Sequence, residues 1–357
     1  MRQGLSGRSR RTWLGLVASL LSCVTGGVAD AGSLGGLLVL SDEGSFFVGG
    51  ESKLSGSADV RAGAPVKGTV QSRQMYVQYR IPAESNGMPI IMVHGANHTG
   101  VTFETTPDGR EGWATYFTRK GFPVYVVDQS GRGRSNFDPS SINEAKLSGK
   151  VDSMPAIAIA TRESAWMSYR LGPSYGVFWP TSRFPQQALD QYFSQSASMA
   201  ETTLPGALEN TTENLKLLLD KIGPAILLTH SQSGALGLAA AKARPDKMRA
   251  LVSVEGDCVP MTAEDIARPM KRFPMLSVWG DNTFGFPSRN GDERRNGCST
   301  SIKALRDGGA RADFVLLPEH GITGNSHMMM LETNNLQIAD LIMEWIKANQ
   351  APGVVRQ

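Results

Sequence analysis

Ala225-Ile226-Leu227-Leu228-Thr229-His230-Ser231-Gln232-Ser233-Gly234-Ala235-Leu236-Gly237 is the stretch on which the fold turns. An apolar run leads straight into small and polar residues, and an Ala/Gly/Leu-rich segment with helix-forming residues continues to Ala243. A strand that turns abruptly into a helix strains the residue on the turn, and only small side chains two positions to either side avoid a clash. Ser231 has Thr229 and Ser233 there, so the stretch reads as a nucleophile elbow presenting Ser231. Ser233 is the alternative, because Ser231 and Ala235 are also small; the end of the apolar run at Leu228 and the His230-Ser231 order favour Ser231.

Outward from this stretch, short apolar runs recur at 89–93, 123–127, 250–254, 275–279 and 314–317. From Ala225 onward their spacing of 20–35 residues suits strand–helix–strand units, and uninterrupted apolar runs belong to parallel strands buried on both faces. The expectation is an α/β chain with a mainly parallel central sheet and helices on both faces. Residues 32–68 are rich in Gly, Ser and Ala and hold one strand-like run, 45–48, which is expected to pair antiparallel with 74–81 at the sheet edge. One interval is far longer than the rest, and 137–204 reads as an inserted helical cap. Within it, residues 166–193 hold eight aromatics, either the cap's own core or a face presented to a ligand.

A serine hydroxyl becomes a nucleophile when a base takes its proton, and that base needs a carboxylate to fix its tautomer. Two histidines follow the elbow, His320 and His327. His327 comes after the 321–326 loop and opens a helix expected over 328–349, a placement that lets the imidazole swing over the elbow; it is the favoured base. Met328, Met329 and Met330 read as packing at the start of that helix. For the acid, Gly280-Asp281-Asn282-Thr283 puts Thr283 where a carboxylate would stand, whereas the 250–254 strand ends on Glu255. Glu255 is the better candidate, with Asp281 and Asp257 as rivals. An oxyanion needs backbone N–H donors, one after the nucleophile and one after an earlier strand. Gln232 and, within His94-Gly95-Ala96-Asn97, Ala96 are the candidates. His94 reads as structural, and His94 with His98 lacks a third ligand, so no metal is expected.

Asp128-Gln129-Ser130-Gly131-Arg132-Gly133-Arg134-Ser135 fits the D-x-x-G-x-G-x-S turn widespread in α/β-hydrolases. Thr105-Thr106-Pro107-Asp108-Gly109-Arg110-Glu111-Gly112-Trp113, the Ser231-Gln232-Ser233-Gly234 elbow, Ser253-Val254-Glu255-Gly256-Asp257 and Gly324-Asn325-Ser326-His327-Met328-Met329-Met330 together resemble a narrower group, the exported bacterial esterases typified by the Alcaligenes esterase. The resemblance runs over residues 41–346. It implies the α/β-hydrolase fold and a Ser–Glu–His triad carried onto Ser231, Glu255 and His327. One departure stands out: a member of that group has a Cys-Cys pair after His-Gly, where this chain has Ala96-Asn97, so no redox property of that loop carries over.

The 357 residues are 41% hydrophobic and 19% charged, ordinary globular material and too apolar for a disordered chain. Arg2, Arg8, Arg10 and Arg11, an apolar stretch over 13–28 and Ala29-Asp30-Ala31 read as an export signal over 1–31. The stretch is too short and too interrupted to span a membrane. Ser9-Arg10-Arg11-Thr12-Trp13-Leu14 resembles a twin-arginine box, which leaves the Sec and twin-arginine routes both open, and Leu20-Leu21-Ser22-Cys23 only loosely resembles a lipobox. Removing the signal takes four Arg and one Asp from 36 Lys+Arg and 33 Asp+Glu and leaves 32 of each. A neutral remainder argues against nucleic-acid binding and against a polybasic membrane patch. Cys258 and Cys298 are then an even pair for an oxidising compartment, bridged or present as two free thiols, and the resemblance favours the bridge.

The function expected from the sequence is a periplasmic or secreted serine hydrolase of carboxylic esters acting through an acyl-enzyme, with no cofactor. The same machinery on a lactone or amide is a rival, as is a non-catalytic binding module, although the order Ser, acid, His disfavours the latter. The partner is a small-molecule ester, uncharged or modestly apolar; no nucleic acid and no stable membrane insertion are expected, and a homodimer stays open.

Overall fold

The computed structural model describes residues 36–61, 64–200, 204, 207–283 and 291–349, and the stretch read as a signal, 1–31, lies outside them. In chain order the strands are β1 (Leu40–Arg61), β2 (Ala64–Pro82), β3 (Ile90–Val93), β4 (Val124–Asp128), β5 (Ala225–His230), β6 (Met248–Val254), β7 (Met275–Trp279) and β8 (Ala312–Leu316). They form one sheet in the order β1-β2-β4-β3-β5-β6-β7-β8. β1, β2 and β4 pair antiparallel, and every pairing from β4 through β3 to β8 is parallel.

The apolar runs account for this arrangement. β3, β5 and β7 are buried at every position, as strands covered on both faces must be. Alternate residues feed opposite cores. Ile90, Met92, Ile226 and Leu228 face the side covered by α1 (Val101–Glu104), α2 (Trp113–Arg119) and the last helix, α10 (Asn335–Ala348). Ile91, Val93, Leu227 and Leu251 face the side covered by α6 (Ala207–Ile222), α7 (Ser233–Ala243) and α9 (Gly291–Asp307). α6 buries Leu215, Leu218 and Leu219, the three- and four-residue spacing of an apolar stripe.

The expected edge hairpin is present, with Phe46 opposite Val77, but it is much longer than the 45–48 run. β1 has 22 residues, and its distal half is held by polar contacts that carry no apolar alternation. Lys53 pairs with Asp138 at 2.6 Å, the Ser57 hydroxyl donates to Glu144 at 2.7 Å, and Ser55 meets Ser140 at 2.9 Å, all on or beside α3 (Ser140–Leu147).

Between β4 and α6 the chain runs through α3, α4 (Arg162–Ser168) and α5 (Leu189–Ser194) with short 3-10 turns. The aromatics of this stretch pack on one another. Trp166 contacts Phe178, Phe178 contacts Phe184, and Phe184 contacts Tyr192, with centroids 4.6, 6.1 and 5.0 Å apart. Among the described residues no helix is long and apolar enough to cross a membrane.

Past β6, Cys258 is disulfide-bonded to Cys298 of α9, closing a loop of 40 residues. The bridge pins the segment that follows Glu255 to α9, on the far side of α8 (Ala263–Ala267) in sequence. Replacing both cysteines by serine is expected to lower the unfolding free energy by up to about 4 kcal/mol, the loop-closure entropy lost from the unfolded chain. Urea denaturation followed by circular dichroism measures it; an unchanged midpoint would mean that the bridge contributes no net stability.

Candidate active site

Strand order reverses at β3: the chain passes from β3 to β4 on one side and to β5 on the other. Loops leaving the carboxyl ends of β3 and β5 therefore diverge, and such a switch point is the usual ligand position in an open parallel sheet. Residues 94–98 and the elbow sit there. His230 lies opposite Val254 in the β5–β6 register, so the residues that follow, Ser231 and Glu255, leave the sheet side by side.

Ser231 has φ 55°, the left-handed backbone expected at a strained elbow. Its amide donates to Val254 O, and its carbonyl accepts from Gly234 and Asp257 at 2.9 and 3.0 Å, which lock the turn. Small residues are needed on both sides of the turn. A Cβ on Gly95 would lie 2.8 Å from Ser231 Cβ, and one on Gly234 would lie 2.8 Å from Gly256 Cα. Ser233, the alternative nucleophile, is fully buried. Its hydroxyl accepts the His230 amide at 2.9 Å and donates toward Val93 O and His230 O at 2.8 and 2.9 Å, so it latches β5 to β3.

Glu255 also has a left-handed backbone, φ 45°, and its side chain is wholly buried. His327 Nδ1 donates to Oε2 at 2.7 Å, the Gly280 amide donates to Oε1 at 3.0 Å, and Arg170 Nη2 donates to Oε2 in a short ion pair. Burial alone would raise the Glu255 carboxyl; the Arg170 charge and the His327 hydrogen bond reverse this and hold it well below the usual carboxylate range. For His327, burial pushes the imidazole down to about 4 against the pull of Glu255, with the charges of Arg170 and Arg294 adding to the lowering.

The loop carrying His327 is built from buried polar contacts. Asp281, a rival acid, accepts the Gly324 and Asn325 amides, both at 2.6 Å. Glu332 accepts the Ser326 amide at 2.7 Å and Asn325 Nδ2 at 2.5 Å, and burial raises its carboxyl to about 7. His327 does not open the last helix as expected. A 3-10 turn, Met329–Leu331, intervenes and α10 starts at Asn335, because Asn325, Ser326 and Glu332 use their polar groups to fold the loop back on itself. The three methionines are fully buried in the core beside it. His320 is exposed, and the other rival acid, Asp257, is exposed and paired with Arg294 at 2.6 Å.

His230 ties the elbow to the loop carrying His327. Its Nε2–H donates to His327 O at 2.9 Å, and the two rings are 4.6 Å apart. On the other flank, Arg132 Nη1 donates to Gly95 O at 2.6 Å and Nη2 to Gln232 Oε1 at 3.1 Å, tying the 94–98 loop to the elbow. His94 is structural: Nδ1–H donates to Gly95 O at 2.9 Å and Nε2 accepts the Gln129 amide at 3.1 Å. Asn97, with φ 59°, accepts the Ala160 amide at 2.9 Å through Oδ1 and donates to the Tyr169 hydroxyl at 3.2 Å. That hydroxyl donates to Ala96 O, and the Tyr169 ring lies parallel to His327 at 5.8 Å. Thus Asn97 fastens the 94–98 loop to the 137–204 segment.

From sequence, Arg170 and Asn97 have no assigned role, and Tyr169 is marked only as one of the eight aromatics of 166–193. Arg170 is 85 residues from Glu255 and sits in no motif. Arg132 lies within the D-x-x-G-x-G-x-S turn, which marked the segment without assigning that side chain a role.

A bacterial esterase of known structure is 42% identical to this chain, covering 88% of it and 98% of its own length with a TM-score of 0.83. The chain belongs to the same α/β-hydrolase family as this esterase. A protein of Fungal sp. (strain ATCC 74256) named a probable secreted lipase is 28% identical over 336 residues, 79% of this α/β-hydrolase and 88% of the fungal protein. No family model matches the chain.

Gly95→Ala tests the crevice geometry. The added methyl meets Ser231 Cβ with no room to move, so hydrolase activity is expected to fall on the order of a hundredfold with the fold retained. Steady-state rates on a soluble ester, with circular dichroism as the fold control, decide it; near-normal turnover would show that the loop yields freely.

Proposed function

We infer that this carboxylic-ester hydrolase works through an acyl-enzyme formed on Ser231, with His327 as the base, Glu255 as its acid partner and the N–H groups of Ala96 and Gln232 as oxyanion donors. The observation that carries the reading is the 2.7 Å His327–Glu255 hydrogen bond beside a serine held in left-handed backbone on the neighbouring strand. Glu255, ionised and buried, accepts a hydrogen bond from Nδ1–H and so fixes the tautomer in which the Nε2 lone pair is free to accept the Ser231 proton. Ser231 Oγ then attacks the ester carbonyl. The carbonyl oxygen gains negative charge and turns toward Ala96 and Gln232, whose amides donate to no protein acceptor among the described residues. Collapse of the tetrahedral intermediate expels the alcohol, which takes the proton from Nε2, and water repeats the sequence to release the acid.

The 137–204 segment acts as a cap over this crevice, a role supported by the contacts of Tyr169 and Arg170 with the base and acid. Its aromatic rings and the absence of excess charge suit an uncharged or modestly apolar ester. Export, with 1–31 as the signal, accords with the disulfide and with the fungal relative being named a secreted lipase.

Ser231→Ala is expected to abolish hydrolysis of short p-nitrophenyl esters while the protein stays folded, and a fluorophosphonate probe should label the peptide holding Ser231 at that residue and leave Ser233 unmodified. Undiminished turnover in the variant, or label on Ser233, would refute the assignment. A panel of esters of increasing acyl length, with a lactone and an amide, separates short-chain esterase from lipase and from the other acyl-transfer chemistries.

The pH profile follows from burial of the base. The proton-accepting form of His327 is the neutral one, so activity is absent below its pKa and rises as pH increases through it. With that pKa lowered to about 4, kcat/KM is expected to show its acidic limb near pH 4 and to be flat from about pH 6 to 8. A limb at the ordinary imidazole value would contradict the buried environment described above.

A further inference from the structure

Glu255 Oε2 meets two side-chain N–H donors, His327 and the Arg170 guanidinium. Arg170 reaches the carboxylate from the segment between β4 and α6, and both side chains are sealed from solvent, at 2% and 0% exposure. Its Nη2 shares Oε2 with His327 Nδ1, while Oε1 is held by the Gly280 amide. Among the described residues Glu255 is the one acidic group paired with the guanidinium, and Arg170 Nε has no hydrogen-bond partner.

The turn that delivers Arg170 is itself rigid. Arg170 has φ 57°, its amide donates to Met167 O at 3.2 Å, and its carbonyl accepts the Trp179 indole N–H at 3.1 Å. The preceding residue, Tyr169, accepts the His327 amide on its carbonyl at 3.0 Å and stacks its ring on the imidazole. A bond to the base's backbone, a ring on its face and a cation on its acid therefore arrive from two consecutive residues.

We propose that Arg170 is a positioning residue for ester hydrolysis: its guanidinium, fixed by the Tyr169–Arg170 turn, holds the Glu255 carboxylate in the orientation from which Oε2 receives His327 Nδ1–H. The proposal rests on the Ser231–His327–Glu255 reading and extends it. The chemical reason lies in the geometry of the acid. A buried carboxylate with a single cationic partner follows that partner, whereas one clamped at both oxygens stays in place when the imidazole gains and loses its proton. Arg170 also keeps the acid ionised when His327 is neutral, the state in which the serine must be activated.

The groups facing His327 and Glu255 are Arg170, Arg294, His98 and His230. Removing the Arg170 charge takes away one influence that lowers the imidazole and the largest one that lowers the carboxyl, so the acidic limb of the pH profile moves upward. In Arg170→Gln, kcat is expected to fall about tenfold or more with KM little changed, and the limb to rise by about one pH unit. Arg170→Lys should recover part of both. A residue needed only for the fold would lower the amount of active enzyme and leave the limb where it was.

The experiment is a four-member set, wild type, Arg170→Gln, Glu255→Gln and the double variant, each measured for kcat, KM, the pH limb and urea stability. The expected result is that Glu255→Gln is severely impaired, that Arg170→Gln is impaired with a shifted limb, and that the double variant is no worse than Glu255→Gln. It should also be more stable than Arg170→Gln, because the orphaned carboxylate is gone. If Glu255→Gln keeps full activity, the triad reading falls and the proposal with it. If Glu255→Gln is impaired while Arg170→Gln and Arg170→Lys keep the wild-type kcat and limb, the triad stands and the Arg170 proposal is overturned. Should Arg170→Gln not fold, Arg170→Lys decides: an unchanged kcat and limb overturns the proposal, and a partial loss with a shifted limb supports it.

Discussion

A carboxylate taken out of water must be met by donors, since an ion buried without them costs several kcal/mol. Glu255 is that carboxylate here. Its donors come from three separate parts of the chain: the start of the loop after β7 through Gly280, the loop before α10 through His327, and the segment between β4 and α6 through Arg170. Each of these parts has to be in place for the charge to be tolerated. The buried carboxylate therefore links the sheet, the loop carrying His327 and the segment between β4 and α6, and it makes their relative positions interdependent.

The elbow depends on the same region. Asp257, two residues after Glu255, donates its amide to Ser231 O, and the Ser231 amide donates to Val254. The turn at the serine and the turn at the acid thus share hydrogen bonds, and both residues take up left-handed backbone that neither would adopt unsupported. The disulfide at Cys258 and the Arg294 bond to Glu255 O, both from α9, brace this corner from outside. Arg132 and His230 do the equivalent work toward the 94–98 loop and toward His327.

Much of this was legible in advance, for identifiable reasons. The parallel strands appeared as uninterrupted apolar runs because both their faces are covered. The elbow appeared because a strained turn admits only small neighbours. The long polar half of the edge hairpin did not appear, since Ser55, Ser57 and Lys53 are held by hydrogen bonds and charge and not by an apolar face. The start of the last helix was misplaced for a related reason: Met328 to Met330 look helical by composition, and it is the buried bonds among Asn325, Ser326 and Glu332 that keep them in a loop.

By itself the sequence determined the class of fold and the sheet's mainly parallel character, because those depend on local period, residue size and order along the chain. Only the tertiary structure decided that Ser233 is a buried latch, that Asp281 holds the Gly324 and Asn325 amides while Asp257 pairs with Arg294, and that Arg170 and Tyr169 meet Glu255 and His327. These are contacts between groups far apart in the chain, and their geometry follows from how the sheet and the covering segment pack, which no local pattern records.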